Sequence, residues 1–353
     1  MDRTSEPASD IELIDLDLFL GDRELSDVQA AFERNGVRKD LGRLAWMYRD
    51  SPGGRARVSV AIGPGGRLAG MYAVVPHLVK VGPSQVTMAQ SLDTLTDSDF
   101  RGRGLFLSLA ARCYKNCAAD GMKGVYGFPN GSSAHGFFAR LGWKQLDPVP
   151  FLIRPVGARY LLSRVGIHAR MKGSEPTLPA RTDRVSSCPE DIDNLWTSVA
   201  PMITVGVIRD RAFLQWRLFD RPSSPYEVYV TRDDEGTLVA MTAVSVEQKH
   251  GATVGYLLEH LVAPGARRQG LSLVRFAVRR MAYLGADVVL AWSQPKSPSI
   301  GSLYRVGLLR LPQRVRPIEL HFGETQFDGD DVNEPLVADR RNWYLSYLDS
   351  DTV

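Results

Sequence analysis

Two arginine–glycine stretches in this 353-residue chain have residue types and spacing suited to chemistry. Arg101-Gly102-Arg103-Gly104 and Arg267-Arg268-Gln269-Gly270 each follow a β-rich run and precede a long helical pattern. At such a junction the backbone amides point out of the helix N-terminus along the positive end of its dipole, and glycine admits close approach of an anion, usually a phosphate. The arginines can add charge-assisted hydrogen bonds. Neither stretch carries the third glycine of a dinucleotide fingerprint or the GKS/GKT of a Walker loop. An acid stands eight residues before each loop arginine: Asp93 before Arg101, and Glu259 before Arg267. Such a carboxylate can accept a proton in a transfer reaction, or it can simply hold a loop or pair an arginine. His260 adjoins Glu259, and His135 follows Asn130-Gly131-Ser132-Ser133. Both histidines are open to a structural or a functional role.

The elements that must position these residues occur twice. Leu44-Ala45-Trp46, closed by Pro52, is matched by Leu214-Gln215-Trp216, closed by Pro222. A hairpin follows each: residues 57–62 and 67–75 about a Gly-Pro-Gly-Gly turn, and residues 226–231 and 237–244 about Asp-Asp-Glu-Gly. Then come a strand (88–96, 256–262), the loop, a helix (to Asp120, to Leu284), a glycine (Gly121, Gly285) and a further strand (124–128, 286–292). Trp46 and Trp216 are 170 positions apart and Gly104 and Gly270 are 166 apart, a near-constant offset that indicates duplication. In the second helix Leu273, Val274, Ala277, Val278, Met281 and Leu284 make one apolar stripe, with Arg275, Arg279 and Arg280 on the solvated side. The expected fold is α/β: two tandem units, each a mixed, mostly antiparallel sheet flanked by helices, with a right-handed crossover around the long helix. The expected domains are 1–158 and 186–325. A linker at 159–185 with a short helix at Arg159–Met171 joins them. The tail at 326–353 is acidic and loop-like from Gly323, and its aromatic end, Trp343 to Leu348, should dock back onto the body.

Composition excludes several classes. Hydrophobic residues at 44% and charged residues at 24% are ordinary globular values, so global disorder is not expected. A net charge of +3 is too balanced to argue for a nucleic-acid partner. The three cysteines, Cys113, Cys117 and Cys188, fit buried thiols in a reducing compartment and give no metal spacing. The polar, acidic first ten residues are unlike a signal peptide, and no apolar run approaches a membrane span. The expectation is a cytoplasmic protein with no membrane association and no metal.

The loops resemble the pyrophosphate loop of the GNAT superfamily of CoA-dependent N-acyltransferases, Arg/Gln-x-x-Gly-x-Gly/Ala. Arg101 to Phe106 matches except for Phe106 at the small position, and Arg267 to Ser272 matches with a serine there. Phe137-Phe138-Ala139-Arg140-Leu141-Gly142-Trp143 looks like the closing helix and Leu-Gly-Phe segment of that family, and Leu303 to Leu308 is a looser match. The run from Ser91 through Gly127-Phe128-Pro129-Asn130 to Trp143 is similar to bacterial double-GNAT enzymes of surface-polysaccharide pathways. One such enzyme acylates a dTDP-linked amino sugar.

The resemblance implies acetyl-CoA or another acyl-CoA as co-substrate. Leu95, Arg101, Gly102, Arg103, Gly104, Leu105, Phe106, Phe128, Asn130, Ser133 and Phe138 would line its site. It also implies Asp93 as base, with His135 and Glu259 as further candidates. The acceptor would be a small-molecule amine, with a dTDP-amino sugar the narrower expectation. Many relatives place a tyrosine where Phe138 stands, to protonate the departing thiolate; Phe138 has no proton to give. The alternatives are acetylation of an aminoglycoside, peptide or protein amine, or a non-catalytic CoA-binding regulator.

Overall fold

The computed structural model describes residues 11–16, 20–156, 174–223, 226–249, 251–316, 319–327 and 334–351. The chain divides into two compact units. One is Met1–Val79, Gln85–Asp147 and Leu320–Glu334; the other is Lys80–Ser84, Pro148–Glu319 and Pro335–Val353.

In the first unit the elements run β1 (Glu12–Asp15), α1 (Asp22–Arg34), α2 (Leu41–Tyr48), β2 (Arg57–Ile62), β3 (Leu68–Val81), β4 (Ser84–Thr96), α3 (Leu105–Ala119), β5 (Gly124–Gly127) and β6 (Lys144–Gln145). The sheet order is β1-β2-β3-β4-β5, then strand Gly323–Gln326, then β6. Most pairings are antiparallel; β4 and β5 are parallel. Helices cover both faces, which is why β3 reads as an almost unbroken apolar run rather than an alternating one. One core joins Leu25, Val28 and Phe32 of α1 and Leu44 and Tyr48 of α2 to the sheet. The other joins Leu105, Leu109, Cys113 and Cys117 of α3 to Tyr72, Val125, Phe137 and Trp143. Each fully buried leucine contributes roughly 1.5–3 kcal/mol. Cys113, Cys117 and Cys188 are buried free thiols.

The second unit repeats the plan. Its strand order is 309–310, 151–155, 288–292, 252–262, 238–249, 227–232, 182–185. Helix Arg267–Tyr283 buries Leu273, Val274, Ala277, Val278 and Met281.

Four boundaries differ from the sequence expectation. Phe151–Pro155, assigned to the first domain, pairs with Val288–Trp292 in the second sheet. Gly323–Gln326, expected as domain end and loop-like tail, lies between β5 and β6 of the first sheet. The first sheet thus takes a strand from beyond the second unit's main segment, and the second unit begins earlier than expected, at Pro148. Both strands are short, and a short run carries no mark of which sheet it joins. The second long helix begins at Arg267, before Gly270 rather than after it. The supposed linker helix Arg159–Met171 lies outside the described residues, and the linker's last residues, Thr182–Val185, form an edge strand. The aromatic tail is docked: Trp343, Tyr344, Tyr347 and Leu348 are buried.

Candidate active site

The first unit opens a gap in its sheet. The parallel pairing of β4 with β5 runs Ala89↔Val125, Gln90↔Tyr126, Ser91↔Gly127 and ends there. β4 continues unpaired on that side to Thr96. A 3₁₀ turn, Ser98–Phe100, then leads into the arginine–glycine loop. Asp97 braces this approach: its carboxylate accepts from Arg67 at 2.8 and 2.9 Å and from the Asp99 amide at 3.2 Å. Burial raises the Asp97 carboxyl, but these hydrogen bonds and the Arg67 charge outweigh it and hold it below the usual carboxylate range.

The loop is built to present amides. Gly102 and Gly104 have φ of 79° and 75°, the left-handed region that favours glycine, and Gly104 caps α3. A Cβ on either glycine would meet nothing within 4 Å, so the space before the loop is open. Among the described residues the amides of 102–106 find no protein acceptor. Arg101 is exposed and Arg103 lies over the Phe100 ring at 5.2 Å. The cavity in front, about 280 Å³, is lined by Thr96, Arg101, Gly104, Phe106, His135 and Arg140 among others. Exposed amides at a helix N-terminus with arginines at the rim suit a diphosphate.

Phe106, out of pattern for its position, fits because Gly136 faces it: a Cβ on Gly136 would lie 2.8 Å from the Phe106 ring. The ring packs on Tyr72 and Phe137 at 5.9 and 5.3 Å. Leu105 packs its side chain into one core and Leu95 packs against the other. Phe128 stacks on Phe322 at 5.1 Å, and Phe138 meets the His321 ring edge-on at 5.9 Å. The Asn130 side-chain oxygen accepts from the amides of Ser132 and Ser133, both at 3.1 Å, and from the Ser132 and Ser133 hydroxyls. Asn130 and Ser133 therefore form the turn that delivers His135 to the cavity wall.

Asp93 stands two residues past the last paired position of β4 and does not line that cavity. Its Oδ1 accepts from Lys39 Nζ at 2.6 Å and its Oδ2 from the buried Tyr48 hydroxyl at 2.7 Å. Neither Lys39 nor Tyr48 belongs to the loop or closing-helix motifs. The signal was present, because Lys39 and Arg209 are as far apart as Trp46 and Trp216. Each is followed by the aspartate that caps the next helix: Asp40 accepts from the Arg43 amide and Asp210 from the Phe213 amide. A buried chain, Ser91–Tyr72–Tyr114–Trp143, lies at the root of the gap, with links of 2.9, 2.7 and 2.9 Å, and carries no spacing signal in the sequence. Burial is the main cause that raises the Tyr72 and Tyr114 hydroxyls well above the usual phenol value.

The second unit has the same splayed strands, with pairing ending at Leu257↔Ala291 while the first strand runs on to Val262, but its gap is filled. The residual cavity, about 10 Å³, is closed by Tyr344, Leu345 and Ser346. Gly270 there serves packing: its amide donates to Ala266 O, and a Cβ would lie 2.6 Å from Val262. Glu259, a base candidate, has a side chain 1% exposed and takes Arg209 at 2.8 Å, Tyr344 OH at 2.5 Å, Ser346 Oγ at 2.9 Å and the His260 amide at 2.9 Å. No lone pair is left for a substrate. His260 is buried, its Nδ1 paired with the Thr242 hydroxyl at 2.7 Å, and burial lowers it to about 4 against the opposing pull of Glu259. Burial raises the Asp349 carboxyl, with Arg209 opposing.

A family model described as an acetyltransferase (GNAT) domain matches residues 28–146. Solved structures share the fold over nearly the whole chain at low identity. N-myristoyltransferase of Saccharomyces cerevisiae with bound myristoyl-CoA is 13% identical, over 92% of this chain and 82% of that one, with a TM-score of 0.62. A protein of unknown function from Enterococcus faecalis, described as a probable N-acyltransferase, is 13% identical over 90% and 72%, with a TM-score of 0.60. A tandem GNAT protein from the clavulanic acid biosynthesis pathway is 15% identical over 90% and 98%, with a TM-score of 0.56. No curated protein sequence matches the chain. The chain therefore has a tandem GNAT fold, and the stretch that matches the family model holds the open gap and the arginine–glycine loop. Among the described residues no group of three or more His, Cys, Asp or Glu could hold a metal, and no helix is long and apolar enough to cross a membrane.

Proposed function

We propose that the protein transfers an acyl group from acyl-CoA to a primary amine, and that the transfer takes place in the GNAT domain of the first unit. The observation that carries this is the pairing of an open strand gap with unbonded, outward-facing amides at 102–106, while the counterpart gap in the second unit is filled by Tyr344–Ser346. The loop amides with Arg101 and Arg103 hold the cofactor diphosphate, and the free edge of β4 from Leu92 to Thr96 takes the pantetheine arm. The thioester then lies in the gap. Asp93 receives a proton from the attacking amine through the lone pairs that Lys39 and Tyr48 leave free. His135, on the cavity wall, is the second candidate for proton transfer. With Phe138 packed on His321, no side-chain acid serves the thiolate: Asp93 takes one proton from the bound ammonium, the second N–H proton, released as the amide forms, goes to the departing thiolate, and orientation in the gap supplies much of the rate.

The acyl chain and the acceptor are open to direct test. The run Ser91–Trp143 resembles nucleotide-linked amino-sugar acyltransferases, which supports an amino sugar as acceptor. One solved structure of similar fold carries myristoyl-CoA, which makes long chains worth testing. Purified protein is incubated with acetyl-, butyryl- and myristoyl-CoA against nucleotide-linked amino sugars, aminoglycosides and peptides, and thiol release and acylated product are followed by mass spectrometry. Amine-dependent thiol release supports the proposal. Tight CoA binding without turnover on any amine replaces it with a CoA-binding regulator.

A further inference from the structure

The second unit holds an occupant where the first is open. In both units a basic residue at the same repeat position meets the strand acid eight residues before the loop arginine: Lys39 with Asp93 at 2.6 Å, and Arg209 with Glu259 at 2.8 Å. The second pair is sealed, its side chains 0% and 1% exposed, because the chain's own segment 344–349 lies on it. That segment supplies three groups. Tyr344 OH and Ser346 Oγ donate to the Glu259 carboxylate, and the Asp349 carboxylate accepts from Arg209 at 2.6 Å. The first pair has one of the three. Tyr48 OH donates to Asp93, while the Lys39 and Asp93 side chains remain 26% and 14% exposed. An ammonium has three N–H bonds, and among the described residues Asp93 is the one acceptor of the Lys39 ammonium. Each Asp93 oxygen likewise keeps a lone pair.

We infer that the Lys39–Asp93 pair is the acceptor-recognition site, and that it takes an amine bearing both a hydroxyl and an anionic oxygen group. The second unit's tail is an internal copy of what such a ligand offers. Its hydroxyls stand in for the acceptor's N–H and O–H donors on Asp93, and the Asp349 carboxylate stands in for the acceptor's phosphate or carboxylate on Lys39. A charge-assisted contact is strong enough to discriminate between acceptors, since a hydrogen bond to a charged group is worth about ten- to a hundredfold in affinity. The assignment rests on the proposed acyl transfer in the first unit.

The test measures kcat/KM for matched amines with and without the anion: glucosamine 6-phosphate against glucosamine, and glucosaminic acid, the carboxylate arm, against glucosamine. The quantity read is the anionic-to-neutral ratio, in which any general effect on Asp93 cancels. Wild type should favour the anionic partner at least about tenfold. Lys39→Met should bring the ratio to near one, and Lys39→Arg, which copies the second unit, should keep it. The phosphate and carboxylate arms tell which anion the site prefers. A wild-type ratio near one, or a ratio unchanged in Lys39→Met, overturns the inference while leaving acyl transfer in place. If Lys39→Met does not fold, competition of the same pairs against wild type decides, and equal inhibition by charged and neutral members overturns it. Absence of transfer to every amine, with or without an anion, sinks the proposed function itself.

Discussion

Asp93→Asn separates a base from a scaffold acid. The substitution keeps the shape of the side chain and one oxygen. That oxygen turns to the Tyr48 hydroxyl, which is fully buried and must keep an acceptor, so the new NH₂ faces the Lys39 ammonium. Two donors then oppose each other where an ion pair stood. The pair is partly exposed, and its loss should cost about 1–2 kcal/mol, a fall in melting temperature of roughly 2–8 °C for units of this size. The protein should remain folded. With Asp93 as base, kcat should drop about a hundredfold or more, equivalent to roughly 2.7 kcal/mol of barrier. CoA affinity by calorimetry should be nearly unchanged, because the loop amides of 102–106 are separate from this carboxylate. The loss should shrink as pH rises and more amine is already neutral. The assay is steady-state thiol release against pH, with acyl-CoA and amine varied in turn. Full turnover with an unshifted pH profile would refute the assignment. Asp93 would then be a scaffold acid like Glu259, and His135→Gln would be the next variant to assay.

Gly104→Asp should abolish CoA binding, because it puts a carboxylate before the phosphate amides and a side chain at φ 75°; Gly270→Asp should destabilise the second unit against Val262 yet leave one CoA per chain by calorimetry. Two CoA per chain, or loss of binding in the second variant, would move the cofactor. Arg209→Met removes one partner of a buried network that includes Glu259 and Asp349, and should lower stability by about 3–5 kcal/mol in denaturant titrations. His260, at about 4 when folded against 6.5 as its reference value, favours folding above pH 6.5 and loses that contribution as pH falls from 6.5 to 4. Wild type should lose up to about 3 kcal/mol more than His260→Gln over that window, and parallel pH–stability curves would contradict it.

Features whose causes are local are legible in the amino-acid order alone. The repeat, the hairpins, the apolar stripe of residues 273–281 and the strand–loop–helix order follow from side-chain period and turn chemistry. The glycines that need φ near 75° before α3 are visible in the same way. These features also placed Asp93 on the strand that leads into the loop. Tertiary structure decided what distant chain segments share. Nothing in the short runs 151–155 and 323–326 says which sheet completes itself with them, because strand partners are chosen by backbone hydrogen bonds that any residue can make. Two loops of nearly the same motif also parted ways. Gly104 adopts a left-handed turn that frees its amides, whereas Gly270 is already inside a helix, its missing side chain making room for Val262. The fates of the two strand acids diverged for the same reason: Asp93 stayed partly open between Lys39 and Tyr48, and Glu259 was covered by a tail segment 85 residues further along the chain. Which acid remains available for chemistry depends on that long-range contact, which no spacing within either repeat encodes.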